Sequence, residues 1–301
     1  MKEFKIKARD DYQLACYLFD DVENPKGILQ ITHGMAEHAT RYARFAKFLN
    51  DNGYLVFAND IRAHGQSAGS LDRVGKVVKG DLFEETVQDQ IFLTKHIAEN
   101  FKDLPIFLLG HSYGSFITQN YIQECQIPKA VILMGSANQK NFLTFAGRII
   151  ANLTCMFKGM DAPANMIANM SFGSYQKQFT EGEWITSDKV ESDKYDADPY
   201  CGATFSAGFY KFFFRHIPML YTSGGLGQIP KNYPIHIVSG AKDPVGGSGK
   251  MVQKLFDTYK KVGLTNVSMR LYDNMRHEVL NEIGYMEVYN DLLKYLNDNN
   301  K

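Results

Sequence analysis

The chain has 301 residues, of which 45% are apolar and 22% charged, with Lys+Arg and Asp+Glu balanced at 33 each. That length allows a large core in an ordinary globular protein. A formal charge of zero excludes the basic footprint expected of a nucleic-acid binder or a protein held to anionic membranes by charge.

Residues 3 to 8 and 12 to 19 alternate around the charged turn RDD and predict an antiparallel hairpin. A regular beat follows. GILQITHG (27–34) predicts a strand, and RYARFAKFLNDNG (41–53) a helix with Tyr42, Phe45, Ala46 and Leu49 on one face. YLVFAND (54–60) is a strand, 81–101 a helix, PIFLLGH (105–111) a strand, 113–124 a helix and KAVILMG (129–135) a strand. The beat stops after residue 138. It resumes near 234 with the strand PIHIVSG, a helix over 249–262, the strand VSMRLYD (267–273) and a last amphipathic helix over 284–297. Such alternation predicts an α/β fold with a mostly parallel central sheet covered by helices on both faces. Residues 1–138 and 229–301 would form this core, and 139–228 a helical cap inserted into it.

Aromatic residues are about twice as dense over 141–221 as elsewhere, and five methionines join them. The cap therefore needs a small core of its own, and part of its adaptable apolar surface can face a ligand cleft. The same surface suits transient contact with a membrane. The N-terminus, MKEFKIKARDDY, has no apolar signal region, and no run reaches the ~18 apolar residues of a spanning helix. Cys16, Cys125, Cys155 and Cys201 are widely spaced without a CxxC pair and read as reduced thiols, so a cytoplasmic location is expected.

The chemistry concentrates in IFLLGHSYGS (106–115). A strand running through Gly110-His111-Ser112-Tyr113-Gly114 directly into a helix is the pattern of a nucleophile elbow. Small residues two before and two after Ser112 keep the strained turn free of collisions. A serine hydroxyl needs a base, and the base an orienting acid. Asp243 lies just past the strand PIHIVSG and His277 just past VSMRLYD, in the order Ser, Asp, His. Asp273 and Glu278 are rival acids, each too near His277 in sequence to orient it easily. The backbone N–H groups of Tyr113 and Met35 are candidate oxyanion donors.

These residues sit in longer strings that resemble the monoacylglycerol lipase and lysophospholipase branch of the α/β-hydrolase superfamily, often labelled serine aminopeptidase-like. The strings are His33, Gly34, Glu37, His38, Arg41 and Tyr42; DIRAHGQS (60–67); GHSYGS; WITSDKVESDKYDADPYCG (184–202); SGAKDPVGGSGK (239–250); and RHEVLNE (276–282). Ala63 stands where the family has glycine, Tyr113 where it has Met and Tyr200 where it has Leu. The resemblance implies hydrolysis of single-acyl-chain esters, monoacylglycerols or lysophospholipids, by Ser112, Asp243 and His277, with the cap over the site and no cofactor. A small-ester carboxylesterase and an aminopeptidase on the same triad are the alternatives. The second needs an acidic grip for an ammonium group, and Glu181, Glu183, Asp188 and Glu191 read instead as solvated surface.

Two further strings carry no ligand chemistry. GGSGKM (246–251) has Met251 where a phosphate loop needs Ser or Thr. HGMAEH (33–38) is one residue too long for a zinc motif, so no metal is expected. His38 and Glu37 read as structural hydrogen-bonding groups, His64 and His111 as packing residues, and Asp60 and Arg62 as a buried pair bracing their loop.

Overall fold

A computed structural model describes residues 1–77 and 80–300. Strands β1 (Lys2–Lys7) and β2 (Gln13–Phe19) form the antiparallel edge hairpin. Lysines alternate along exposed β1, which keeps this free edge from pairing with other chains. Strands β3 (Gly27–Thr32), β4 (Tyr54–Asn59), β5 (Ile106–His111), β6 (Ala130–Met134), β7 (Ile235–Gly240) and β8 (Val267–Tyr272) are mutually parallel. The eight strands are ordered β1-β2-β4-β3-β5-β6-β7-β8. β3 to β6 are buried at every position, as strands covered on both faces must be.

Apart from shorter helical turns, the helices are α1 (Ala43–Asp51), α2 (Leu82–Asn100), α3 (Tyr113–Glu124), α4 (Phe142–Lys158), α5 (Lys189–Ala197), α6 (Ala207–His216), α7 (Lys250–Lys261) and α8 (Tyr285–Asp298). Alternate strand residues divide the core. Leu29, Ile31, Val56, Leu109 and Ile132 pack with α1 and α8. Leu108, Val131, Leu133, Ile235 and Ile237 pack with α2, α3 and α7. α4 to α6 arise between β6 and β7, in the segment expected to form the cap. There Gly147 lets α4 lie against α6, since a Cβ would stand 2.7 Å from the Phe214 ring. The aromatic face of α6 does not form a separate core: Phe209 and Phe213 join Phe83, Tyr113 and Phe116 beneath the sheet's edge.

The Asp60–Arg62 expectation is corrected. Asp60 accepts hydrogen bonds from Ala39 N–H (2.8 Å), Gln66 N–H (2.7 Å) and Tyr17 O–H (3.0 Å). The Arg62 guanidinium instead reaches Asp89 (2.6 Å) and Asp10 (2.7 Å). Two residues apart on a turn, Asp60 and Arg62 are directed to different partners. Directly after Arg62, Ala63 keeps the left-handed backbone a glycine would favour, at φ 63°. Burial pushes the Asp89 carboxyl up to about 6 even beside Arg62. Arg62→Ala strands that carboxylate, 1% exposed, and should cost about 3–5 kcal/mol in a urea titration.

Candidate active site

The elbow is built by close approach. Ser112 joins β5 to α3 at φ 51°, ψ −118°, a strained conformation for a residue with a side chain. A Cβ on Gly110 would lie 2.3 Å from Thr118 Oγ1 and 2.5 Å from the Gly114 carbonyl oxygen. On Gly114 it would lie 2.2 Å from the Thr32 oxygen and 2.4 Å from that of His33. Glycine at both positions is therefore a steric requirement. It brings the start of α3 against the end of β3.

Asp243 and His277 converge from the ends of β7 and β8. The imidazole Nδ1 lies 3.0 Å from Asp243 Oδ2. The same oxygen accepts from Ser239 O–H (2.9 Å), and Oδ1 from Val245 N–H (2.8 Å), so the carboxylate, 0% exposed, is held on both oxygens. A carboxylate only accepts, so Nδ1 carries the proton and Nε2 keeps a free lone pair. Ser112 and His277 line one cavity of about 270 Å³, together with Met35, Tyr113, Phe116, Phe213 and Phe214. No Ser112–His277 hydrogen bond is formed among the described residues, and such bonds commonly tighten only around substrate. Among those residues, neither the Met35 nor the Tyr113 N–H meets a protein acceptor, and both residues border the same cavity. Of the rival acids, Glu278 turns away to Arg41, at 2.7 Å on both oxygens.

A buried node that sequence reading assigns only to structure joins the site. Glu37 Oε1 accepts from Gly34 N–H (2.6 Å), Tyr42 O–H (3.0 Å) and the His111 ring (3.0 Å), while Oε2 takes Arg41 (2.9 Å). His111 packs as expected, and the ring it packs against is that of His277, 4.9 Å between centroids. Trp184 opens the string 184–202 but carries no role in the sequence reading; its indole lies 5.2 Å from the His277 ring. Glu183 is also corrected: it is half-buried and lines the cavity with Asp196. Asp188 caps α5, and Glu191 pairs with Lys194 and Arg44. Tyr200 does not line the cavity but meets His38 edge-on.

Burial alone would depress the His277 pKa. The adjacent Asp243 charge and hydrogen bond, helped by Glu278 and Glu37, outweigh burial and raise it above the usual histidine value. Burial would likewise raise the Asp243 pKa, but His277, Ser239 and Val245 bring it below the usual carboxylate value. Glu37 and Glu278 are also held ionised against burial, the first by His111 and Arg41 and the second by Arg41.

A parallel sheet with an elbow serine and an Asp–His pair at its carboxyl edge defines an α/β-hydrolase. The family model described as "Serine aminopeptidase, S33" matches residues 23–284, and the chain belongs to that family. It is 28% identical to the monoacylglycerol lipase of Mycolicibacterium smegmatis over 291 residues, 91% of this chain and 89% of that one. It is 26% identical to the Mus musculus monoglyceride lipase over 197 residues, 63% of this chain. The match spans 57% of that lipase, little more than half its length. Among solved structures, a thermostable carboxyl esterase from Bacillus coagulans superposes with a TM-score of 0.89, at 24% identity, over 100% of this chain and 99% of that one.

The Asp–His pair gives a test independent of turnover. In NMR, the His277 imidazole should titrate above the ordinary value of about 6.5. In Asp243→Asn, burial should prevail and the titration move below about 6.5.

Proposed function

We propose that the protein is a serine hydrolase that cleaves carboxylic esters of single-acyl-chain lipids, monoacylglycerols or lysophospholipids, through an acyl-enzyme. The observation that carries the reading is the buried Asp243–His277 pair opening, with Ser112, into a cavity walled by Met35, Phe116, Phe213 and Phe214. Relatives named monoglyceride and monoacylglycerol lipase support the substrate class.

Ser112 Oγ attacks the ester carbonyl carbon while His277 Nε2 takes its proton. Asp243 stays ionised and stabilises the imidazolium. The carbonyl oxygen becomes an oxyanion, met by the Met35 and Tyr113 N–H groups. The latter lies at the start of α3, where the helix dipole adds to it. Collapse breaks the C–O bond, and His277 returns its proton to the departing alcohol. Water then attacks the acyl-Ser112 ester with His277 again as base, releasing fatty acid and restoring the serine.

The 139–228 segment is the lid in this reading. On α4, Phe142 (78% exposed), Leu143, Met156 and Phe157 (76%) face outward rather than into a core. A large exposed apolar patch beside a lipid-ester cavity suits transient contact with a membrane surface. No described helix is long and apolar enough to cross a membrane.

One observation favours a second reading. Glu183 and Asp196 at the cavity offer the acidic grip that an aminopeptidase needs for a substrate ammonium.

Fatty-acid release from a long-chain monoacylglycerol should exceed turnover of a short p-nitrophenyl ester, and Ser112→Ala should lower both by about 10⁶-fold. Cleavage of amino-acid anilides in preference to both esters would transfer the assignment to the second reading. Replacing Phe142 and Phe157 together by Glu should cut co-sedimentation with phosphatidylcholine vesicles and leave turnover of the short soluble ester unchanged.

A further inference from the structure

The residue before His277 ties its loop to the lid. Arg276 Nη1 donates to the carbonyl oxygens of Glu183 (2.6 Å) and Thr186 (3.3 Å), and Nη2 to that of Glu181 (2.9 Å). Its guanidinium also lies 4.3 Å from the Phe179 ring centroid. The turn it grips bends at Gly182, φ 65°, where a Cβ would stand 3.1 Å from Nη1. Further bonds stitch the same two segments together. Glu278 N–H donates to the Ile185 carbonyl (2.7 Å) and Thr186 O–H to that of Asn281 (2.8 Å). Glu282 accepts from Arg276 N–H (2.6 Å) and, on its other oxygen, from Ser187 N–H (3.1 Å). The gripped segment carries Trp184. Its indole, backed by Phe172 (5.6 Å, stacked) and Tyr175 (5.3 Å), rests 5.2 Å from the His277 imidazole.

We propose that Arg276 and Trp184 are positioning residues that couple the lid to the base: the guanidinium pins segment 181–186, and the pinned segment lays the indole on His277. The inference rests on His277 being the base of the ester reaction. Asp243 fixes the ring only along its Nδ1 edge, so orientation of the Nε2 edge depends on what packs against its faces. His111, held by Glu37, and Trp184 do that. A lid that swings away removes one of them, so the base is fully set only when the lid is docked. Arginine suits the clasp because its planar fork spreads donors on two nitrogens over three carbonyls in a fixed geometry, whereas a lysine ammonium offers its donors from a single point.

The chain holds a single tryptophan, so its emission reports this contact directly. A protonated imidazole against an indole quenches it. The charged and titratable groups facing the pair are Asp243, His111, Glu37 and Glu278 on the His277 side, the last two paired with Arg41, and Tyr175 and Glu183 on the Trp184 side. Burial pushes the Tyr175 hydroxyl up to about 12, so it stays neutral over the acid range. In the wild type, Trp184 emission should titrate with the same midpoint as the acid limb of kcat/KM.

Arg276→Ala and Arg276→Lys should both lose that titration. Both should lower kcat by about 10²-fold for short and long esters alike, with KM for the short ester little changed. Trp184→Ala, which leaves the clasp in place, should lower kcat similarly without a change in melting temperature. It serves if the Arg276 variants fail to fold. An emission titration and short-ester kcat unchanged in Arg276→Lys and Arg276→Ala would overturn the coupling. So would a loss confined to KM for the long-chain ester. If emission titrates and responds to Arg276 but no ester is cleaved, the coupling stands and the ester reading fails.

Discussion

A single buried carboxylate, that of Glu37, holds the candidate site in register. It binds the Gly34 N–H in the loop after β3, the His111 ring at the end of β5 and the Tyr42 hydroxyl at the start of α1. Through Arg41 it reaches Glu278 in the loop after β8. Three parts of the chain far apart in sequence, the stretch from Gly34 to Tyr42, His111 and Glu278, thus meet around one side chain, 3% exposed. The loop that carries Met35 cannot shift without breaking the bond to Gly34, and the residue beside Ser112 cannot turn without breaking the bond to His111. Such a node costs desolvation, and breaking one of its partners leaves charge buried without compensation. Its return is geometric: the loop that carries Met35 and the turn that carries Ser112 are fixed relative to each other, as the proposed mechanism requires of an oxyanion loop and a nucleophile.

The node also has an electrostatic effect. Two ionised carboxylates share one guanidinium near His277, and both favour its imidazolium form. Their effect adds to that of Asp243, and in the proposed mechanism the imidazolium is what the base becomes once it has taken the serine proton. On that mechanism the same residues that fix the backbone also help stabilise the developing charge. The loss of any one would be felt both as strain and as a changed titration, and the two effects are separable by reading structure and pH response together.

The parts legible in the sequence are those governed by local pattern. β3 to β6 are continuous apolar runs, the elbow glycines are forced by contacts within a few residues or one strand away, and Ser112, Asp243 and His277 each follow a recognisable strand. What is not legible depends on distant partners. Arg41 and Glu278 are 237 positions apart, and only the i, i+4 spacing of Glu37 and Arg41 hints at half of the network. Asp60 and Arg62 illustrate the opposite error, since nearness in sequence suggests a pair where the turn sends the two side chains apart. Glu183 reads as solvated surface, and Trp184 has no readable role, because the bonds from Arg276 that hold this segment beside the cavity span more than 90 positions. Helix α4 misleads by composition: it is apolar nearly all round, yet it buries little beyond Gly147 and Ala151.

Backbone strain follows the same division of the molecule. Ala36, Ala63, Ser112, Ser248 and Asn274 all have positive φ, and they follow β3, β4, β5, β7 and β8. Gly135 does the same after β6. Every parallel strand is thus followed at its carboxyl edge by a residue of positive φ, whereas only glycines, Gly53 before β4 and Gly263 before β8, have positive φ shortly before a described parallel strand. Each non-glycine case costs about 1–3 kcal/mol, against a net stability of about 5–15 kcal/mol for a typical domain. A chain can carry that concentration of strain only if the rest of the sheet over-determines it, which the fully buried strands and the two helical layers do. The strain reverses the chain sharply enough for loops from six strands to crowd into one small volume. It is why the Ser112 hydroxyl, the His277 imidazole and the Met35 and Tyr113 residues, from separate parts of the sequence, can border a single cavity, with the Asp243 carboxylate buried directly behind the imidazole.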